Sequence, residues 1–412
     1  MGGLRAPVNR GLPYGRAHPA TGGPPLRNLS PQSRRQVHNP GMNAPQLVRV
    51  DPLDVRLGLP TRVDIFDAEG QLLLARGSTV CREDSVERLQ EAGFKIEAPP
   101  QGRIPRRIEP VFQRMAALAD TVTQMEGALA AGQGLPSFSF KVQALAQTVI
   151  GCCDEDCNAA LAQAYLDHHH AYSVLHHVLV AVGVCALSRG WSDAERISLA
   201  AAALSHDIGA LALRQALGQA ASLDEAQRKV VREHPDQGVH MLGALGVRDA
   251  LWLQAVQDHH EHIDGSGYPR GICLGMRTAG ALMAVADGFA AMVRPRPYRD
   301  RKLGTAILDD LRLHAGTWYD PSQVEAIAAC FGPCHAGSIV RLANGDMAVV
   351  THHRPDRPGQ PELMLIASSG DQPMEKPCAI DVTDPDCAIT AVLHPEISLR
   401  FRGMVNKSWG GT

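Results

Sequence analysis

The feature that most constrains this chain is a histidine–aspartate pair set inside an apolar helical pattern. Ile197, Ala201, Leu204, Ile208 and Leu211 fall on one face at 3.6 residues per turn, and alanine fills most of the other faces. Such a segment is predicted to be a helix buried on several sides. His206 and Asp207 stand within it, His206 roughly opposite the apolar stripe, and an ionisable pair is costly to bury unless a partner compensates its charge. Taken alone, the pair reads more readily as a histidine satisfied by a backbone carbonyl beside a salt-bridged aspartate, because structural ion pairs are common.

The surroundings are helical in pattern from about 109 to 331, with the clearest break at Asp264-Gly265-Ser266-Gly267. Scarce aromatics, 4% of the chain, and plentiful alanine and leucine agree with helices rather than a β-sandwich. The expected fold class is mainly α: a helical bundle over 109–331 between a small α+β domain at 46–99 and a small β-rich domain at 336–412. In the first flank, Arg62 to Phe66, a turn at Glu69-Gly70 and Leu72 to Leu74 read as a hairpin, and Asp84 to Ala92 as a short helix. In the second, Ser338 to Leu342, Asn344-Gly345 and Met347 to Val350 form a strong hairpin signal, with further strands near 363–366 and 388–392. Residues 100–108, rich in Pro and Arg, read as a linker. Residues 1–41, rich in Gly, Pro and Arg and lacking Asp, Glu and Lys, are expected to be a disordered or non-native extension. A stripe of Val111, Met115, Leu118, Val122 and Met125 predicts a helix after the linker that either packs on the bundle or pairs in a homodimer; the sequence leaves both open.

Bulk charge removes some function classes. A formal net charge of −3 and a pI near 6.6 argue against a nucleic-acid polymer or a membrane surface as partner. The longest apolar run, Val178 to Leu187, is too short to span a bilayer, which takes about 18 residues or more. Ten cysteines, among them Cys152, Cys153, Cys157, Cys330 and Cys334, form no pair of CxxC knuckles, and no secretory signal is visible. They are expected to be reduced thiols in a cytoplasmic protein. Eighteen histidines are the unusual number, because imidazole is the commonest metal-ligating side chain.

Those histidines recur in groups. His259-His260-Glu261 ends a helical segment and runs into Asp264-Gly265-Ser266-Gly267-Tyr268-Pro269. His234-Pro235 forms another group, His176 sits among Val174, Val178 and Val180, and Asp287 interrupts the apolar run Ala284-Val285-Ala286. An aspartate in such a run needs a partner, and a metal would serve. Together, five histidines and two aspartates can supply two cations. Mixed imidazole and carboxylate ligands suit Fe, Mn, Zn or Ni without choosing among them. A shared aspartate can bridge two metals about 3.5–4 Å apart, an arrangement suited to phosphoester hydrolysis.

In this order the residues resemble the HD-GYP family, bacterial cyclic di-GMP phosphodiesterases within the HD superfamily. The resemblance rests on His176, His206-Asp207-Ile208-Gly209, His234-Pro235, His259-His260-Glu261, Gly265-Ser266-Gly267-Tyr268-Pro269, Asp287 and Arg296-Pro297-Tyr298, and it covers roughly residues 165–325. It implies an HD-type helical bundle with two divalent metal ions. His176, His206, Asp207 and Asp287 would hold one, and His234, His259 and His260 the other, with Asp207 bridging. It also implies Arg296, Arg299, Gly267 and Tyr268 at the substrate, catalysis centred on His206 and Asp207, and hydrolysis of cyclic di-GMP to pGpG or GMP. Diguanylate cyclase-type or other signalling proteins would be its protein partners.

The chain departs from the family pattern at four positions. Ala210 stands where the family reads lysine, His262 where it often reads arginine, and Ala290 where it has a second aspartate. Tyr172 stands where members with a third metal carry an acid, so two metals are expected. These departures motivate the alternative of a catalytically weak or inactive module that binds metal or nucleotide and acts by protein contact. Hydrolysis of another nucleotide is a third option.

Overall fold

The computed structural model describes residues 46–50, 54–55, 61, 63–69, 71–75, 78, 80, 83–97, 109–211, 224–294, 302–357 and 359–410. The expected N-terminal extension over 1–41 and linker over 100–108 lie outside them. The chain divides into two compact units, 1–106 and 107–412. Among the described residues no helix is long and apolar enough to cross a membrane.

The first unit is a small antiparallel sheet with one helix. Its strands are β1 (Gln46–Arg49), β2 (Ile65–Phe66), β3 (Leu72–Leu74) and β4 (Phe94–Glu97), in the order β1-β4-β2-β3. The hairpin read from the alternating pattern is β2 paired with β3. Helix α1 (Glu83–Ala92) turns Val86 inward, and it joins Val50, Val55, Ile65 and Val80 in a separate apolar cluster.

The second unit is mainly helical. Helix α2 (Val111–Ala130) buries Val111, Met115, Leu118, Ala119 and Val122 in the core it shares with α3 (Phe138–Leu166) and α4 (Tyr172–Leu187). The stripe that left two arrangements open is thus covered within the chain. Helix α4 is buried from Val174 to Ala186 because its sequence is apolar on every side, the pattern of a central helix. Helix α3 breaks at Asp156, whose φ/ψ of −155°/91° is not helical and whose Oδ1 caps the next turn by accepting from Ala159 N at 2.9 Å.

Helix α5 (Asp193–Ala203) starts on a capping box between Ser192 and Glu195. It stops earlier than its periodicity predicts. The pattern reads as one helix through Leu211, yet residues 204–207 form a turn and Ile208–Ala210 a single 3₁₀ turn. The stripe survives because the 3₁₀ turn keeps Ile208 and Leu211 buried. Two contacts fix this ending. Ser205 Oγ donates to Ala201 O at 2.8 Å, and Trp252 Nε1 donates to Ser205 Oγ at 2.9 Å. His206 and Asp207 therefore lie just beyond a helix end, not inside a helix.

Helices α6 (Glu225–Ala244), α7 (Ala250–Asp258), α8 (Ala279–Val293), α9 (Ala306–Leu313) and α10 (Pro321–Phe331) complete the bundle. A five-stranded antiparallel sheet follows: β5 (Ile339–Leu342), β6 (Met347–His352), β7 (Glu362–Ala367), β8 (Pro373–Ile380) and β9 (Ile389–Leu393), in the order β8-β7-β6-β5-β9. The predicted turn at Asn344-Gly345 joins β5 to β6. Strand alternation gives the sheet two apolar faces. Ile339, Met347 and Val349 enter the helical core, while Val340, Ala348 and Val350 form a cluster of their own. His352 Nε2, 3.1 Å from Asp156 Oδ2, and His353 N, donating to Asn158 Oδ1 at 3.0 Å, tie the sheet to the break in α3. Strand β8 and a closing helix α11 (Arg402–Lys407) had no counterpart in the periodicity analysis. The chain end returns to α2, where Trp409 stacks on Phe112 at 5.3 Å.

Candidate metal centre

The bundle brings together two groups of metal-ligand side chains that share one residue. Asp207, His234, His259 and His260 form one group, and His176, His206 and Asp207 the other. His176, His206, Asp207, His234 and His259 are each 2% exposed or less, so none of them relies on bulk water for its polar atoms. The two oxygens of Asp207 point to different groups. Oδ1 lies 3.1 Å from His234 Nε2, while Oδ2 lies 3.0 Å from His206 Nε2 and 3.7 Å from His176 Nε2. Asp287 joins the second group through its Oδ1, 2.8 Å from His176 Nε2 and 3.6 Å from His206 Nε2. Its Oδ2 is 3.9 Å from His260 Nδ1.

Helix carbonyls without a backbone partner explain how three of the imidazoles are aimed. The last carbonyls of a helix lack intrahelical partners. His206 Nδ1 donates to Ala203 O at 2.8 Å at the end of α5, and His259 Nδ1 donates to Val256 O at 2.6 Å at the end of α7. His234 lies within α6, where Pro235 serves the same purpose. Proline has no N–H for the carbonyl four residues earlier, and His234 Nδ1 takes that carbonyl, Val231 O, at 2.6 Å. In all three the bond fixes the tautomer and leaves Nε2 facing the centre.

Backbone proximity completes the arrangement. A Cβ on Gly209 would collide with His234 O and Gly238 N, so only glycine lets the turn after Asp207 pack against α6. The same holds in the loop, where a Cβ on Gly267 would meet His260 O and His262 N. Glu261 is fully buried but is not among the ligand groups. Its carboxylate accepts from Arg270 N at 2.7 Å and Ile272 N at 3.0 Å and so folds the loop back on the helix end. Tyr268 then lies over His260, with ring centroids 4.6 Å apart.

The donor set fits divalent cations. His234 Nε2 and His259 Nε2 face each other at 3.1 Å, although both rings already commit Nδ1–H to carbonyls. Two imidazole lone pairs at that distance repel unless a cation lies between them. His206 Nε2 likewise approaches Asp207 Oδ2 at 3.0 Å without hydrogen-bond geometry.

Charge divides the centre. Burial opposes a charged His206, but Asp207 and Asp287 outweigh it and push its pKa up to about 10. Burial raises Asp287, yet the hydrogen bond with His176 and the nearby imidazole of His206 hold it well below the usual carboxylate range. His259 goes the other way: burial and the neighbouring histidines lower it well below the ordinary imidazole value. Burial likewise takes His260 down to about 3, against the partial offset of Asp287.

All seven candidate metal ligands thus gather at one place. Gly267 and Tyr268 lie in the loop beside it, whereas Arg296 and Arg299 lie outside the described residues. Ala210 and Ala290 are buried, and Tyr172 stacks on His176 at 5.4 Å with no carboxylate in its place. Sequence reasoning missed His177 and Glu126. His177, buried beside His176, lies 4.0 Å from Asp207 Oδ2 and 2.9 Å from Glu126 Oε1. The signal was present: His177 adjoins His176 as His260 adjoins His259, and Glu126 follows Val122 in the register of the α2 stripe.

Known proteins share this region. Residues 157–323 match the family model described as HD domain. The chain is 32% identical over 200 residues to a cyclic di-GMP phosphodiesterase of Pseudomonas aeruginosa, covering 47% of each. It is 35% identical over 150 residues to the 3'3'-cGAMP-specific phosphodiesterase 3 of Vibrio cholerae, covering 35% of this chain and 32% of the relative. The chain therefore spans about half the length, or less, of these relatives. A solved HDG"Y"P protein from Bdellovibrio bacteriovorus overlays with a TM-score of 0.46 at 15% identity, covering 68% of this chain and 98% of that one. The chain is an HD-domain protein related to the HD-GYP cyclic di-GMP phosphodiesterases.

Proposed function

We propose that the protein is a metal-dependent phosphodiesterase that hydrolyses cyclic di-GMP to pGpG or GMP. The observation that carries this reading is Asp207, a buried carboxylate whose two oxygens serve two separate histidine groups. His176, His206, Asp207 and Asp287 would hold one divalent ion, and Asp207, His234, His259 and His260 the other. Two such ions would polarise the phosphodiester and activate water for attack on phosphorus. The chain's own part is positional. Carbonyls of Ala203, Val231 and Val256 hold three imidazoles in the ligating tautomer. Glu261 holds the Gly265–Pro269 loop against the helix end, placing Tyr268 at the rim. Arg296 and Arg299, which come after α8 in the sequence, would hold substrate phosphate, for which a planar guanidinium is suited.

The test is product analysis by chromatography after incubating the metal-loaded protein with cyclic di-GMP and, separately, with 3'3'-cGAMP. Cyclic di-GMP should be consumed faster. Asp207→Ala should bring turnover to background and remove bound metal together. Preferential cleavage of 3'3'-cGAMP would reassign the substrate. Metal binding without turnover of either would favour the non-catalytic module that Ala210 and Ala290 suggest.

A further inference from the structure

We propose that Glu126 and His177 are positioning residues through which α2 holds the shared carboxylate of Asp207. The inference rests on the two-cation reading of the centre and adds a control point outside its ligand set.

Glu126 is out of character with its helix. The inward positions of α2 before it, Val111, Met115, Leu118, Ala119 and Val122, are apolar, and then a carboxylate occupies the next inward turn, 9% exposed. Packing alone gives no reason for it, since an apolar residue of similar size would be at least as stable there. Its carboxylate is engaged on the side facing the centre. Ser173 Oγ donates to Oε2 at 2.6 Å, and His177 Nδ1 lies 2.9 Å from Oε1. Both partners lie on α4, one turn apart, and His176 of the same turn belongs to the ligand groups.

His177 carries this contact inward. Its ring meets His206 edge to face at 5.0 Å, and its Nε2 is buried without a hydrogen-bond partner, 4.0 Å from Asp207 Oδ2. A carboxylate that grips one imidazole nitrogen while the other faces a ligand group is the arrangement by which outer residues orient a metal centre. Here the carboxylate comes from the first helix of the second unit. A shift of α2 along its axis would therefore displace His177 and, with it, the Oδ2 side of Asp207, while the Oδ1 side stays with α6.

The test is a two-step Co²⁺ titration of the full chain, read by visible absorption, with melting temperature measured in parallel. Glu126→Gln and His177→Asn should each weaken the Asp287-containing half about 10–100-fold and leave the other half within about twofold. Glu126→Asp should recover part of the loss. Val122→Ala, a packing change on the same face of α2, should lower the melting temperature and leave both Co²⁺ affinities unchanged. If Glu126→Gln and His177→Asn only lower the melting temperature, as Val122→Ala does, the two residues are structural and the proposal is wrong. If the unaltered protein takes up no Co²⁺, the two-cation reading fails and this inference with it.

Discussion

The two halves of the centre share Asp207 yet solve opposite electrostatic problems. The half containing His176, His206 and Asp287 is rich in carboxylate. In the absence of a cation it balances itself with a proton, which is why His206 is pushed up to about 10. The half containing His234, His259 and His260 is rich in imidazole. Burial and mutual repulsion drive protons out, so His259 and His260 are held low and present lone pairs at neutral pH. In one half a metal must therefore displace the His206 proton, whereas in the other His259 and His260 already lack one. The difference follows from where the second carboxylate lies: Asp287 Oδ1 approaches His176 and His206, while its Oδ2 stays 3.9 Å from His260.

The strongest way to break this asymmetry is to remove that charge. If the centre holds two cations as proposed, Asp287→Asn should lower the metal content from two ions per chain to one, whereas His259→Asn should empty the other half and leave the Asp287 half loaded. Elemental analysis of the purified variants decides it, and equal loss from both halves in either variant would contradict the division.

A smaller, graded effect is expected from pH. Below about 10 the metal-free His206 keeps its proton, so a cation there must displace it. Affinity in that half should rise about tenfold per pH unit through the neutral range. His260 is already unprotonated above about 3, and His259 is held low as well, so these two ligands should add little pH dependence from pH 6 to pH 9. The stability of the metal-free protein has the matching signs. The raised His206 contributes fully below the unfolded imidazole value, near 6.5, and its contribution is lost as pH rises towards about 10. The depressed His259 and His260 contribute above about 6.5 and lose that contribution as pH falls below it. Competition titrations with a metal-sensitive dye at several pH values would show whether the two affinities diverge.

The smallest expected effect sharpens the comparison by disturbing one side through the backbone. Gly209→Ala places a methyl group against His234 O and Gly238 N, an overpacking that costs about 1–3 kcal/mol. It should weaken the His234 half more than the His206 half, because His206 is anchored within its own turn to Ala203 O. Urea unfolding of the metal-free variant measures the cost, and the order of Co²⁺ loss shows which side gives way.

Much of this was legible in the sequence. Helical periodicity over 109–331, the hairpin around Asn344-Gly345 and the seven candidate ligands that the fold gathers all follow from local patterns or from the resemblance those patterns carry. The pattern failed where tertiary contacts competed with it. The stripe from Ile197 to Leu211 continues past Ala203, but Ser205 is drawn to a carbonyl and to Trp252, 47 residues away, and the helix stops. Glu126 is a correctly placed helical residue whose meaning depends on α4, and no spacing rule connects residues 51 apart.

The feature that opened the sequence, His206-Asp207, separates what each level decides. The chain by itself determines that an ionisable pair lies in an apolar environment and that further histidines and aspartates are available to compensate it, because composition and periodicity are local properties. Only the tertiary structure decides that the pair sits at a helix end with its carboxylate divided between two groups. That division depends on packing which brings Asp287 within 2.8 Å of His176 across 111 residues, and on Gly209, which lets His234 approach from the other side.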